Sequence, residues 1–191
     1  KKVMKNELKE VKKEYADERR TVINDEITDI KIDKEELISK EDFTVVITNE
    51  GYIKKVALKS YNMSEIDETG LKDGDYVTEK FNINNLSTIL MFTNKGNYLY
   101  IPVYEIAEFK YKEIGKHINT IVKISDDEKI IKSIAVANFN GDVITAFTKN
   151  GMVKRTKIKD LEVNRYSKAM MIFKLKENDE LIEVSMQQGR E

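Results

Sequence analysis

Phe43-Thr-Val-Val-Ile-Thr-Asn-Glu-Gly-Tyr-Ile-Lys-Lys-Val-Ala-Leu58 is an apolar run, a Thr, two polar residues, a Gly and a second apolar run. The chain writes this segment twice more. Thr88-Ile-Leu-Met-Phe-Thr-Asn-Lys-Gly-Asn-Tyr-Leu-Tyr-Ile-Pro-Val103 is the second copy, and Val143-Ile-Thr-Ala-Phe-Thr-Lys-Asn-Gly-Met-Val-Lys-Arg-Thr-Lys-Ile158 is the third. The glycines Gly51, Gly96 and Gly151 are spaced by 45 and 55 residues. A period of this size marks a propeller, solenoid or array. Within each copy Phe43, Val45 and Ile47, or their equivalents, alternate as strand residues do. The Gly fits a hairpin loop of three to four residues that needs one left-handed position. Apolar residues recur two, seven and ten places after each Gly: Ile53, Leu58 and Tyr61; Tyr98, Val103 and Ile106; Val153, Ile158 and Leu161. Gly70 and Gly115 both fall 19 residues after their turn glycines, where the third copy has Met170.

Further pairs of apolar runs flank acidic turns at Ile121–Ile134 and Ile172–Val184. Each repeat is therefore expected to supply about four strands, the content of one propeller blade. The predicted fold is mainly β, with about three blades at 42–85, 86–138 and 139–188. Three blades do not close a ring, so the array is expected to continue beyond Glu191. The only proline, Pro102, is expected at a strand edge or bulge because it lacks the N–H of a ladder donor. Ahead of the blades, Met4, Leu8, Val11 and Tyr15 make an amphipathic stripe, predicting a helix over 2–20. A connector over 22–41 follows, with Ile27, Ile30 and Ile32 among acids. The sequence begins with Lys1 and is read as part of a longer chain.

Composition bounds the function. There is no cysteine among 191 residues, hence no disulfide framework and no thiolate chemistry, which fits a reducing cytoplasm. No run of about 18 uncharged apolar residues predicts a membrane helix. The 33 basic and 34 acidic residues nearly cancel, which excludes a uniformly basic nucleic-acid binder, but the charge is segregated. Lys149, Lys154, Arg155, Lys157, Lys159, Arg165 and Lys168 face only Asp160 and Glu162 over 149–168. Glu65, Asp67, Glu68, Asp73, Asp75 and Glu79 face only Lys72 over 62–79. His117 is the only histidine, and with no cysteine it makes a poor start for a zinc site. The acidic turns Asp126-Asp127-Glu128 and Glu177-Asn178-Asp179-Glu180 lack the spacing and glycine of an EF-hand and read as hairpin turns. Tyr98, Tyr100 and Tyr104 read as core and inter-blade packing.

Thr48-Asn-Glu-Gly-Tyr-Ile-Lys-Lys55 and Thr148-Lys-Asn-Gly-Met-Val-Lys-Arg155 resemble the blade signature of the C-terminal β-pinwheel domain of bacterial type IIA topoisomerase A subunits. Glu14-Tyr-Ala-Asp-Glu-Arg-Arg-Thr21 is similar to that family's segment joining a coiled coil to the pinwheel, so the resemblance marks 1–21 as a coiled-coil end and 42–191 as blades. In the gyrase branch a basic, Gly-rich box follows the first hairpin and wraps DNA. Here the acidic Tyr61–Asp75 stands in its place. Gly70-Leu-Lys-Asp-Gly-Asp75, Phe92–Val103 and Tyr111-Lys-Glu-Ile-Gly-Lys-His117 resemble the topoisomerase IV branch.

The resemblance implies an accessory domain, not catalytic alone, that engages and bends duplex DNA for ATP-dependent decatenation and relaxation. Its implied partners are double-stranded DNA, an ATPase B subunit, plus the rest of a homodimeric A subunit. ATP and Mg would act elsewhere, no membrane is involved, and the setting is cytoplasmic and chromosome-associated. The rival readings are a protein-interaction propeller without a DNA role and a gyrase domain that wraps DNA. The candidate DNA contacts are Lys54, Lys55, Lys95, Lys149, Lys154, Arg155 and Lys157 beside the turns, and Lys110, Lys112, Lys116, Arg165 and Lys168 in the loops that follow. A row of such cations tracks phosphates and gives affinity without sequence readout.

Overall fold

The computed structural model describes residues 1–18, 20–21, 37–62, 69–125 and 127–188. Ile27, Ile30 and Ile32 of the connector lie outside these, as do Glu65, Asp67, Glu68 and Asp126. The chain forms two units, Lys1–Lys34 and Glu35–Glu191. The first contains helix α1 (Lys2–Tyr15), whose stripe of Met4, Leu8, Val11 and Tyr15 is exposed. The helix stops earlier than its expected end at residue 20. Ala16 turns to extended backbone, and the Asp17 side chain bonds Arg20 instead of supporting another turn.

The second unit is three antiparallel sheets. Strands β1 (Asp42–Thr48), β2 (Tyr52–Ala57) and β3 (Val77–Asn84) build the first, and a short helix α2 (Leu58–Asn62) follows β2. Strands β4 (Thr88–Thr93), β5 (Asn97–Pro102) and β7 (Ile130–Val136) build the second. Strands β8 (Asp142–Thr148), β9 (Val153–Lys157) and β11 (Leu181–Gln188) build the third. Two-residue strands β6 (Lys116–His117) and β10 (Met170–Met171) complete the set. The orders are β3-β1-β2-β6, β10-β5-β4-β7 and β11-β8-β9.

The second and third repeats each supply four strands, as expected, but the four do not share one sheet. The second repeat keeps β4, β5 and β7 and lends β6 to the first sheet, where His117 pairs with Tyr52 and Lys116 with Ile53. The third repeat lends β10 to the second sheet, where Met170 pairs with Tyr98. Ile121–Ile124 and Ile172–Leu175, expected as blade strands, form none. They belong to the second and third crossovers, between β5 and β7 and between β9 and β11, each of which reaches the edge of the sheet before it; the first crossover lies between β2 and β3. Only the later apolar run of each pair, β7 or β11, joins its own blade.

The hairpin turns follow the sequence reading. Gly51, Gly96 and Gly151 take φ of +84°, +76° and +79°, the region in which a Cβ costs most. The Thr three places before each Gly caps its turn. Its hydroxyl accepts the N–H of Tyr52, Asn97 or Met152 at 3.1–3.3 Å. An acid from the end of the crossover braces each turn from beneath. Asp75 accepts the N–H groups of Glu50 and Tyr76 at 3.0 and 2.8 Å, and Asp179 accepts those of Asn150 and Glu180 at 3.0 and 2.9 Å. Glu128 takes the Thr93 hydroxyl at 2.5 Å and the Asn97 amide at 2.8 Å. Burial resists ionisation of Asp75 and Asp179, but these N–H donors, the neighbouring threonine and a lysine together hold both below the usual carboxylate value. The acidic turns thus serve as turn braces, a role that their polarity alone does not announce.

The second sheet is the centre of the unit. Every residue of β4 is buried, so alternation sends side chains into two cores. Leu90, Phe92, Tyr98 and Tyr100 meet Ile144, Ala146 and Val184 of the third sheet. Ile89, Met91, Leu99 and Ile101 meet Val45, Ile47 and Ile53 of the first. Tyr100 stacks between Phe139 and Tyr166 at 5.6 and 5.9 Å, which bears out its reading as packing. Pro102 ends β5 opposite Thr88, beyond the short reach of β10, so its missing N–H leaves no ladder bond unmade.

Candidate nucleic-acid interface

The sheets sort the candidate cations by which face of a strand they occupy. On β2, Ile53 and Lys55 point toward the second sheet and Lys54 points away, opposite Val46. Lys54 is only 1% exposed. Its ammonium donates to the carbonyls of Tyr111 at 2.7 Å, Gly70 at 3.4 Å and Glu113, and sits 5.5 Å from the centre of the Tyr111 ring. Burial lowers its pKa to about 8, against the opposing charge of Glu113. Lys54 is therefore removed from the set of surface phosphate contacts, because its charge is enclosed and its donors are used.

Lys55 is half-buried at the seam of the first two sheets. It lies 4.9 Å over the Phe43 ring and donates to the carbonyls of Val103 and Tyr104 at 3.3 and 3.5 Å. Burial lowers its pKa, opposed by Glu108, Glu41 and Glu105. Lys95 is exposed but paired with Asp127 at 2.8 Å, which raises its pKa. Lys154 donates to the Ile172 carbonyl at 2.7 Å. Arg155 and Lys157 are exposed on β9, Arg155 occupying the place that Lys55 holds in the first hairpin. Of the turn group, Lys149, Arg155 and Lys157 keep exposed charges with no ion pair among the described residues.

The crossovers present a different picture. Lys110, Lys112 and Lys116 are exposed along the second crossover, and Arg165 and Lys168 along the third. The second crossover runs beside β2, with Phe109 N–H bonded to the Lys55 carbonyl at 3.0 Å. It then meets the third crossover directly, because Lys123 and Lys168 form a parallel backbone bridge. Bridged backbones lie about 4.8 Å apart, so two exposed lysines from different repeats stand side by side. Arg165 lines the adjoining groove of about 470 Å³ with Thr120, Ile121, Asn164 and Tyr166.

Of the acids along this path, Glu113 accepts the Lys110 N–H at 2.7 Å, and Glu105, which also lines the groove, accepts the Tyr166 hydroxyl at 3.1 Å. Lys110, Lys116, Lys123, Arg165 and Lys168 make no ion pair among the described residues. Lys123 is a candidate that sequence reasoning missed. It sits inside Ile121–Ile124, read as a strand, and only the bridge to Lys168 exposes its place. In the first repeat's crossover, by contrast, Lys72 is spent on Glu50 at 3.2 Å beside Asp73 and Asp75.

Such an arrangement offers a discontinuous belt of point charges on exposed backbone, suited to phosphates spaced along a polymer. Among the described residues no group of three or more His, Asp or Glu is placed to hold a metal, and no helix is long and apolar enough to cross a membrane.

Comparison with known proteins gives a consistent set of likenesses. The family described as DNA gyrase C-terminal domain, beta-propeller, matches residues 42–64, 87–137 and 142–187. The A subunit of DNA topoisomerase 4 from Staphylococcus aureus (strain MRSA252) is 42% identical over 183 residues, which are 95% of this chain and 23% of that protein. The chain thus spans about a quarter of the length of this relative. A crystal structure of the C-terminal domain of DNA topoisomerase IV superposes with a TM-score of 0.74 at 38% identity, covering 78% of this chain and 46% of that one. A DNA gyrase A C-terminal domain shares the fold, with a TM-score of 0.54 at 20% identity over 78% of this chain and 48% of that one.

Proposed function

Because the chain belongs to the family of DNA gyrase C-terminal β-propeller domains, we propose that it is the duplex-engaging accessory domain of a topoisomerase IV A subunit. The likeness to the corresponding Staphylococcus aureus protein supports that branch. The observation that carries the DNA role is the set of exposed cations on the second and third crossovers, brought together where Lys123 and Lys168 bridge. The ligand is the phosphate backbone, so binding is independent of sequence and sensitive to salt. Bending a site of 20–30 base pairs by tens of degrees costs about 1–6 kcal/mol, which several such contacts offset.

The whole enzyme would pass one duplex through another. The rest of the homodimeric A subunit would supply the cleavage, while a separate ATPase B subunit would supply the ATP and Mg chemistry, in the bacterial cytoplasm. Titrating this chain with a duplex of about 40 base pairs at several salt concentrations tests the reading. A log–log slope of about −3 to −6 is expected, and no binding at low salt would overturn it.

A second reading rests on the acidic surface of the first repeat, where Glu50 captures Lys72 beside Asp73. It is a protein-interaction propeller that takes a basic partner. Retention on heparin at moderate salt separates the two, since only a phosphate-binding surface is held.

A further inference from the structure

The blade motif places a lysine three residues after the turn glycine in the first and third repeats, Lys54 and Lys154, and Leu99 in the second. Both ammonium groups are turned onto backbone carbonyls. Lys54 gathers carbonyls from two successive crossovers, Gly70 from the first and Tyr111 and Glu113 from the second. Lys154 takes the Ile172 carbonyl of the third. The first and second crossovers are also packed against each other at the Lys54 site. Gly70 N–H bonds the Tyr111 carbonyl at 3.1 Å, and a Cβ on Gly70 would stand 2.1 Å from the Lys112 carbonyl. The carbonyls that Lys54 holds flank Lys112 and stand within three residues of Lys110 and Lys116.

We propose that Lys54 is a positioning residue for DNA binding. Its ammonium fixes the backbone of the second crossover so that Lys110, Lys112 and Lys116 meet successive phosphates, while it touches no phosphate itself. Lys154 does the same, with one carbonyl, for the third crossover. This inference rests on the DNA reading above. An ammonium suits the task because its three donors diverge from one point toward three carbonyls, whereas the planar fork of arginine does not.

The test uses Lys54→Leu and Lys54→Arg, with Lys154→Leu as a milder companion. Leucine is the residue that the second repeat already buries at this position, at 0% exposure in Leu99, and Lys54→Arg keeps a cation at the site. Two quantities are read: amide exchange of Gly70 and Glu113, and the salt slope of duplex binding. Both Lys54 variants should speed exchange of those amides at least tenfold. Both should also flatten the slope by more than the value of about 0.9 that belongs to one phosphate contact.

A direct contact behaves otherwise. Arginine would then restore binding, leucine would remove one contact, and exchange would not change; that result overturns the positioning role. Fast exchange in variants whose wild type binds no duplex instead overturns the DNA reading beneath it. Lys154→Leu should speed exchange only around 170–174, and fast exchange in the second crossover from that variant would also count against the inference.

Discussion

Removing the cations where the two crossovers meet is the most direct perturbation of the interface. Lys123 and Lys168 face solvent from bridged backbones, and Arg165 lines the groove beside them. None of the three has an ion pair among the described residues, so alanine at all three leaves no partner charge stranded. Each phosphate contact contributes about 0.9 to the slope of log affinity against log salt. Three contacts give about 2.7, which is roughly a 40-fold loss of affinity between about 50 and 200 mM salt. The triple variant should therefore bind more weakly at low salt, and its slope should be flatter than that of the wild type by about 2.7. Fluorescence anisotropy with a labelled duplex reads both numbers. Lys95→Ala is the internal control: Asp127 already holds that charge, so the slope should hardly move. A triple variant with the wild-type slope, or a Lys95 variant with a slope flattened by a full contact, would refute the argument that charge availability defines the interface.

Other consequences concern the scaffold. Lys54 has a folded pKa of about 8 against an ordinary 10.5, so the unfolded chain binds more protons between those values. Stability should rise with pH from about 8 to 9.5 through this group, and urea midpoints of Lys54→Leu should lack that rise. Gly151→Ala should cost about 1–2 kcal/mol for its left-handed backbone. Gly96→Ala should cost more, because its Cβ would also stand 2.4 Å from the Phe173 carbonyl; paired thermal melts rank the two. Thr93→Val should cost about 1–3 kcal/mol by taking a hydroxyl from the buried Glu128 carboxylate, read from denaturant titration. A change under about 0.5 kcal/mol would show that Asn97 alone satisfies the acid.

The hairpins were legible because their information is local. Glycine at a left-handed turn, threonine as its cap and alternation along the strands all fall within one 16-residue window. The partner of each outer strand was not, because Lys116-His117 pairs with Tyr52-Ile53 some 64 residues away and two residues carry too little pattern to announce a strand. The same limit applies to the site. Sequence put Lys54 and Lys55 beside Lys110 and Lys116 as equals, and only the strand faces show that the first two spend their charge inside the protein. Lys123 was hidden by its apolar neighbours. The braces Asp75, Glu128 and Asp179 were visible as acids, but their service to a turn in the preceding hairpin is a contact between distant parts of the chain.

The lending of β6 and β10 has a bearing on how such a chain is lengthened or shortened. The unit repeated in the sequence begins at a hairpin, whereas the unit that folds ends in the middle of the next copy. A deletion that removes the third copy cleanly would strip β10 from β5 and damage a sheet whose own residues are untouched. Insertion of a copy must likewise supply a border for its predecessor before it gains one itself. Sequence repeat and folding unit are thus out of phase by half a repeat, and changes in blade number are felt first by the neighbour upstream.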